Sequence, residues 1–176
     1  KSSNPSLFLE TMGKTNGDAE SLSAYLADAI VDQSYRYDAL KTVKENNISG
    51  LHVLVDDTVR AESIYDRLES ITQGKFWARD LGNTPANLLN PETYADEIDQ
   101  ELSPLGVKVT KIDAVDLDVM GAGGILAVGQ GSKTPPCMVI LEYDGTDGEA
   151  DRPIGLVGKG VTFDSGGYSL KPAGGM

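Results

Sequence analysis

The chain has 176 residues, enough for one domain or two small ones. Hydrophobic residues make up 40% and charged residues 24%, which is ordinary for a soluble globular chain. The net charge of −12 and the lack of any basic run disfavour a nucleic-acid partner, because binding a phosphate backbone needs a basic patch. No apolar run approaches about 18 residues, so the sequence predicts no membrane span.

The chain has one cysteine, Cys137, and one histidine, His52. A single cysteine excludes a disulfide within the chain, which fits a reducing compartment. Cys137 opens an apolar run and is predicted to be a buried core thiol rather than a nucleophile. Without a second histidine, a zinc site built on histidines is excluded within this chain. His52 is predicted to be a strand residue, with a Ser-His-Asp arrangement as a remote alternative.

In chain order, turn signals fill residues 1–17, which are predicted to be a loop or a frayed terminus. A helix is predicted from Asp18. Five apolar residues at helical spacing predict its buried face: Leu22, Tyr25, Leu26, Ala29 and Ile30. The apolar run 51–55 is predicted to be a strand.

A long helix is predicted next, starting near Thr58 as a plausible N-cap and running to about Leu81. Its predicted inner stripe comprises Ile64, Leu68, Ile71 and Ala78. More than 20 residues suit a connector between two domains. Gly74 lies inside the helix and marks a candidate kink or break.

Beyond a breaker cluster at 82–87, Asn90 and Pro91 are typical of a helix start. The predicted face of that helix comprises Tyr94, Ile98 and Leu102. A strand is predicted over 107–112, a short helix from Asp113 to about Val119, and a buried strand over 137–143.

The glycine-rich segment 121–132 invites a dinucleotide-binding interpretation. The spacing G-x-G-x-x-G does not occur there, and these glycines are predicted to precede a strand instead of opening a helix. A nucleotide-binding domain is therefore disfavoured, and titration with ADP or NAD tests it.

The candidate site residues lie in the last stretch, Leu156–Pro172. The apolar run 154–158 predicts a buried strand, and it breaks into glycines that carry Lys159, Asp164 and Lys171. Taken singly, a lysine in a glycine turn is usually a surface lysine, and Asp-Ser-Gly-Gly is usually a tight turn. A phosphate loop is excluded, because it needs a glycine five residues before the Gly-Lys pair and a Ser or Thr after it.

Leu156–Pro172 resembles the signature of the leucyl aminopeptidase (cytosol aminopeptidase) family, the dizinc peptidases of family M17. That signature reads roughly V-G-K-G-[IVL]-T-F-D-S-G-G-[IY]-S-[IL]-K-P. Residues 78–87 (ARDLGNTPAN), 35–38 (YRYD) and 120–136 also resemble family segments. The resemblance covers about residues 35–176.

The resemblance implies two divalent metal ions per subunit, zinc or manganese. It implies that Lys159 binds one metal, that Asp164 binds both, and that Lys171 acts on the scissile carbonyl as an electrophile. A lysine amine must lose its proton to coordinate, and a nearby dication favours that loss. Ser165 beside Asp164 suggests a nucleophile, but no base accompanies it in the sequence.

The sequence also departs from the family pattern. The remaining carboxylate ligands and the catalytic arginine of the N-T-D-A-E-G-R stretch are not found, so the chain is expected to be a fragment. The predicted fold is α/β: the end of an N-terminal α/β domain, a linking helix, and the first part of an α/β/α catalytic domain with a mixed sheet. The domains are placed at residues 1–73 and 74–176.

The expected function is a metal-dependent aminopeptidase that hydrolyses N-terminal residues, leucine and similar ones, from peptides by two-metal activation of water. The alternative is a truncated or regulatory member of the same fold without catalysis. By resemblance we expect a cytoplasmic metalloprotease that forms a homohexamer and takes peptide substrates. The net charge and the lack of a long apolar run predict that it binds neither nucleic acid nor membrane. The chain alone is expected to be inactive.

Overall fold

The computed structural model describes residues 18–43, 50–149, 152–172 and 174. The predicted loop over 1–17 lies outside them. The chain divides into two compact units, Lys1–Asn83 and Thr84–Met176. The predicted domain boundary between residues 73 and 74 stays a prediction. Within the described ranges, no helix is both long and apolar enough to cross a membrane.

The first unit is built on two helices packed against each other, α1 (Ala19–Gln33) and α2 (Thr58–Asn83). The predicted start of α1 is confirmed, because the Asp18 carboxylate accepts a hydrogen bond from the Glu20 amide at 3.2 Å. At the start of α2 the cap is Asp57 and not the predicted Thr58, because the Asp57 carboxylate accepts a hydrogen bond from the Arg60 amide at 3.1 Å. Both helix starts follow from acidic residues placed directly before them.

The predicted buried face of α1 is wrong. Its buried residues are Ser23, Ala24 and Ala27, whereas Leu22 and Tyr25 are 41% and 58% exposed. Small side chains let two helix backbones approach closely, so α2 packs on the small-residue face of α1. Spacing alone had assigned the face to the larger apolar residues.

Helix α2 is continuous across Gly74, so the predicted kink or break is not observed. Its buried residues are Ala61 and Thr72, and Ile71 from the predicted stripe is 62% exposed. Polar contacts join α2 to α1: the Thr72 hydroxyl donates to the Asp28 carboxylate at 2.5 Å.

The strand predicted over residues 51–55 is wrong. The segment is extended, with His52 and Leu54 exposed and the three alternate residues half-buried, but it forms no ladder with any other described residue. A strand needs a hydrogen-bonded neighbour. Alternation in the sequence therefore predicted the conformation of this segment and not its pairing.

The second unit combines helices with a small sheet. In chain order it contains α3 (Pro91–Leu102), a 3-10 turn (Ser103–Leu105), β1 (Lys108–Ile112), α4 (Ala114–Val119), α5 (Gly123–Gly129) and β2 (Met138–Glu142). The two strands pair antiparallel, with Lys108 opposite Glu142 and Ile112 opposite Met138. The predicted α/β class is confirmed.

Local capping explains the starts of α3 and α4. The Asn90 side chain accepts from the Glu92 and Thr93 amides, and the Thr93 hydroxyl oxygen accepts a bond from the Asn90 amide, which completes a capping box. Asp113 caps α4 by accepting from two amides of its first turn, and Leu117 of α4 is fully buried. These starts are the ones that the sequence predicted.

Two predictions for this unit need correction. The glycines of segment 121–132 do open a helix, α5, although the dinucleotide spacing still fails. Strand β2 is only partly buried, since Ile140 and Leu141 are 40% and 46% exposed. Cys137 is half-buried: its thiol donates to the Pro91 carbonyl at 3.1 Å, and burial raises its pKa.

Candidate metal site

The segment that leads into Lys159 is not the predicted buried strand. Residues 153–164 form neither helix nor strand, and Ile154, Leu156 and Val157 are each more than 90% exposed. A central strand needs neighbours on both edges and cover on both faces. The described residues form one sheet, the β1–β2 pair, and this segment is not part of it.

A compact turn follows at residues 164–170. The Asp164 carboxylate oxygen Oδ1 accepts a hydrogen bond from the Gly166 amide at 2.9 Å. The Leu170 amide donates to the Ser165 carbonyl at 2.9 Å, and the Ser169 amide to the Gly166 carbonyl at 3.0 Å. An aspartate that binds the backbone two residues ahead is typical of an Asx turn, which orients its own carboxylate.

Two aromatic side chains close this turn. The rings of Phe163 and Tyr168 stack with centroids 5.4 Å apart and planes inclined by 16°. Such pairs contribute beyond the area they bury. Because Asp164 lies directly after Phe163 and within the turn that Tyr168 completes, the stack restrains the backbone that carries the carboxylate.

Gly167 keeps the space beside that carboxylate open. A Cβ at this position would lie 3.2 Å from Asp164 Oδ2, a tighter distance than most Cβ contacts. Sequence reasoning missed this residue, because it treated Gly167 only as part of a turn. The signal that points to it is a second glycine following closely on a predicted ligand.

The donor set fits a metal ion in part. Asp164 is exposed, and a carboxylate has about four lone-pair positions, so the bond from Gly166 leaves acceptor capacity for cations. Lys159 and Lys171 are exposed, one before the turn and one directly after it. Across the described ranges, no three His, Cys, Asp or Glu side chains gather in a group able to hold a metal. The roles of Lys159, Asp164 and Lys171 stay predictions.

Known proteins show what the chain resembles. The model of the cytosol aminopeptidase family, catalytic domain, matches residues 76–176. A probable cytosol aminopeptidase of Methylorubrum extorquens is 42% identical over 147 residues, which are 82% of this chain and 29% of the relative. One of Brucella melitensis biotype 1 is 41% identical over 160 residues, which are 88% of this chain and 33% of the relative.

A solved structure matches as well. The bottromycin maturation enzyme BotP in complex with Mn has a TM-score of 0.76 and 33% identity, over 96% of this chain and 35% of that chain. The chain thus spans about a third of the length of these proteins. The family match includes the whole of Leu156–Pro172. On the family match and the identities together, the chain belongs to the cytosol aminopeptidase family, and its residues 76–176 match the model of that family's catalytic domain.

Proposed function

We propose that this chain forms part of a metal-dependent aminopeptidase that removes N-terminal residues, leucine and similar ones, from peptides. The observation that carries the proposal is the catalytic-domain match over residues 76–176, which includes Lys159, Asp164 and Lys171. The relatives from Methylorubrum and Brucella are named probable cytosol aminopeptidases, which supports a peptidase. The structure of BotP is a complex with Mn, which supports a divalent metal.

We assign Asp164 and Lys159 as ligands of two divalent cations, zinc or manganese. When bound, such a pair supplies a water activated at neutral pH and a Lewis acid for the scissile carbonyl. The Asx turn orients the Asp164 carboxylate, and the Phe163–Tyr168 stack restrains the backbone that carries it. Lys159 contributes a neutral amine, so it gives up a proton as the site fills.

Lys171 is assigned a different task. Its ammonium donates hydrogen bonds to the carbonyl oxygen of the scissile peptide, where negative charge develops during attack. It follows directly on the Asp164 turn, whose Leu170 amide is fixed by the Ser165 carbonyl. The turn therefore fixes the backbone next to the base of the Lys171 side chain.

We further propose a cytoplasmic homohexamer with two metals per subunit. Two cations need several carboxylates to offset their charge, and we assign the remaining ligands to the two thirds of the relatives' length that this chain does not cover. The chain alone is then expected to bind metal weakly and to be inactive. The competing proposal is a regulatory, non-catalytic member of the fold.

The test uses an extended protein, meaning this sequence within a polypeptide of the relatives' length. Hydrolysis of leucine p-nitroanilide should stop after chelation and return with zinc or manganese. Asp164→Ala should abolish the metal-supported rate, whereas the control Asp118→Ala, which removes an equal charge from an exposed position of α4, should not.

Three results would contradict the proposal. They are unchanged hydrolysis after chelation, unchanged hydrolysis by Asp164→Ala, or two tight zinc sites in a titration of the 176-residue chain alone. A well-folded extended protein that binds metal through Asp164 and shows no hydrolysis would favour the regulatory alternative. The control variant matters because a net charge of −12 attracts divalent cations weakly at any acidic position.

A further inference from the structure

Next to Lys159, the loop approaches helix α3 so closely that a side chain on Gly160 would force one of the two to shift. A Cβ on Gly160 would lie 2.8 Å from Cε1 of the Tyr94 ring, a distance that real Cβ atoms essentially never show. The same Cβ would lie 3.6 Å from Tyr94 Cδ1, an ordinary van der Waals distance. The Gly160 backbone is outside the left-handed region, so a substitution here is opposed by contact with the ring and not by backbone strain, and either the loop or the Tyr94 ring must shift to admit a Cβ.

The ring that Gly160 meets belongs to a firmly held helix. The capping box at Asn90 fixes the first turn of α3, and the Tyr94 amide bonds to the Asn90 carbonyl at 2.8 Å. On the next turns the Lys111 ammonium of β1 lies 2.8 Å from Asp96 and 3.0 Å from Asp99. Tyr94 therefore projects from an element anchored both at its start and to the sheet.

The loop itself has little other support from its preceding side chains. Ile154, Leu156 and Val157 are each more than 90% exposed, and Lys159 is exposed as well. The approach of Gly160 to the Tyr94 ring thus ties this segment to the body of the second unit.

We propose that Tyr94 is a positioning residue: its ring seats Gly160 and thereby places the Lys159 amine for metal binding. This inference rests on the proposed function, in which Lys159 is a ligand. A Cβ on Gly160 would push the loop off the ring and move Lys159 with it. Ligand and substrate geometry is sensitive to such shifts, and misplacement by about 1 Å costs about 100-fold in rate.

The experiment uses four extended proteins: the wild type, Gly160→Ala, Tyr94→Leu, and the double variant. Manganese affinity is measured by isothermal titration, and kcat by hydrolysis of leucine p-nitroanilide. We expect Gly160→Ala to lower kcat about 100-fold and to weaken manganese binding. Tyr94→Leu should lower both readouts less than Gly160→Ala does, because leucine keeps an atom near the Cδ1 position. The double variant should fall no lower than Tyr94→Leu, because leucine removes the atom that the Gly160 Cβ would meet at 2.8 Å.

Gly155→Ala is the matched control. A Cβ there meets nothing within 4 Å, so both readouts should stay at the wild-type value. A structural readout that does not depend on metal is available in the 176-residue chain. Nuclear Overhauser spectra should show a cross-peak between a Gly160 α-proton and the Tyr94 ring, and Tyr94→Leu should remove it.

The outcomes separate this inference from the function on which it rests. If Asp164→Ala leaves manganese affinity unchanged, the proposed function fails. If Asp164→Ala abolishes binding while Gly160→Ala binds and turns over like the wild type, the positioning role is wrong. It is also wrong if the double variant has no higher kcat or manganese affinity than Gly160→Ala, provided that both melt at the wild-type temperature. A missing cross-peak in the wild type would contradict it as well.

Discussion

The α1–α2 pair and the segment 152–172 are held in opposite ways. Between the helices, the side chains that matter are buried or tied to named partners: Thr72 donates to Asp28, and Lys75 and Arg79 lie 3.2 and 3.0 Å from Asp32. In segment 152–172, the three residues assigned to chemistry are exposed, and order comes from turn hydrogen bonds and one ring stack.

The residues of the two regions contribute to different properties of the protein. Buried contacts between helices stabilise the fold, so their loss should change the free energy of unfolding. Exposed charges on a hydrogen-bonded turn contribute little to stability, which leaves them available for ligands. Substitutions that change the free energy of unfolding should therefore differ from those that change catalysis.

The largest expected effect is on catalysis alone. In the extended protein, Lys171→Ala should lower kcat by about 10²–10³-fold, the usual loss for one donor to a developing oxyanion. Because Lys171 is exposed, the thermal midpoint should stay unchanged. The control is Lys133→Ala, an exposed lysine of the same unit, which should leave kcat unchanged. If the thermal midpoint fell enough to account for the lost activity, Lys171 would act on stability and not on catalysis alone.

A smaller effect, on stability alone, is expected for Thr72→Val. The substitution keeps the shape of a fully buried side chain and removes the donor to Asp28, so it should cost about 1.5–3 kcal/mol of unfolding free energy in urea titrations. Ser70→Ala on the same helix is the control, because Ser70 is exposed and donates only to its own helix. Equal midpoints for the two variants would show that the buried bond contributes nothing.

Gly74→Ala should act in the opposite direction. Gly74 lies inside the continuous α2, its Cβ would meet nothing within 4 Å, and its backbone is not left-handed. Alanine should raise the free energy of unfolding by about 0.5–1 kcal/mol. Gly106→Ala provides the contrast, because Gly106 has φ of 84° and alanine is strained there. Destabilisation by Gly74→Ala would mean that the helix needs the glycine after all.

The smallest effect concerns how the thermal stability changes at acid pH. Hydrogen bonds from Lys75 and then Arg79 lower the pKa of Asp32 below its ordinary value of 3.8. A carboxyl group whose pKa is lower in the folded state stabilises the fold at pH values above its ordinary pKa. This stabilisation is lost as the pH falls through the folded-state pKa. Asp32→Asn should therefore melt below the wild type at pH 7, and the gap should close below about pH 3.8. Asp66→Asn, at an exposed position of α2, should follow the wild type throughout.

Much of the local structure was predictable from the sequence because its causes are local. Asp18, Asn90 and Asp113 accept bonds from amides two or three residues ahead, so helix starts could be inferred from neighbours along the chain. The candidate site was predictable only through the resemblance of Leu156–Pro172 to a family signature. The bond from the Gly166 amide to Asp164 is local too, but the metal roles need ligands that this segment does not supply.

Strand pairing and the contacts between elements could not be predicted from the sequence. Residues 51–55 and 154–158 have the composition of strands, yet neither joins a ladder among the described residues, because a ladder needs a second strand that composition does not specify. Spacing assigned the inner face of α1 to Leu22 and Tyr25, and the close approach of α2 selected Ser23, Ala24 and Ala27 instead. The Gly160–Tyr94 contact joins residues far apart in sequence, so only their positions in space reveal it.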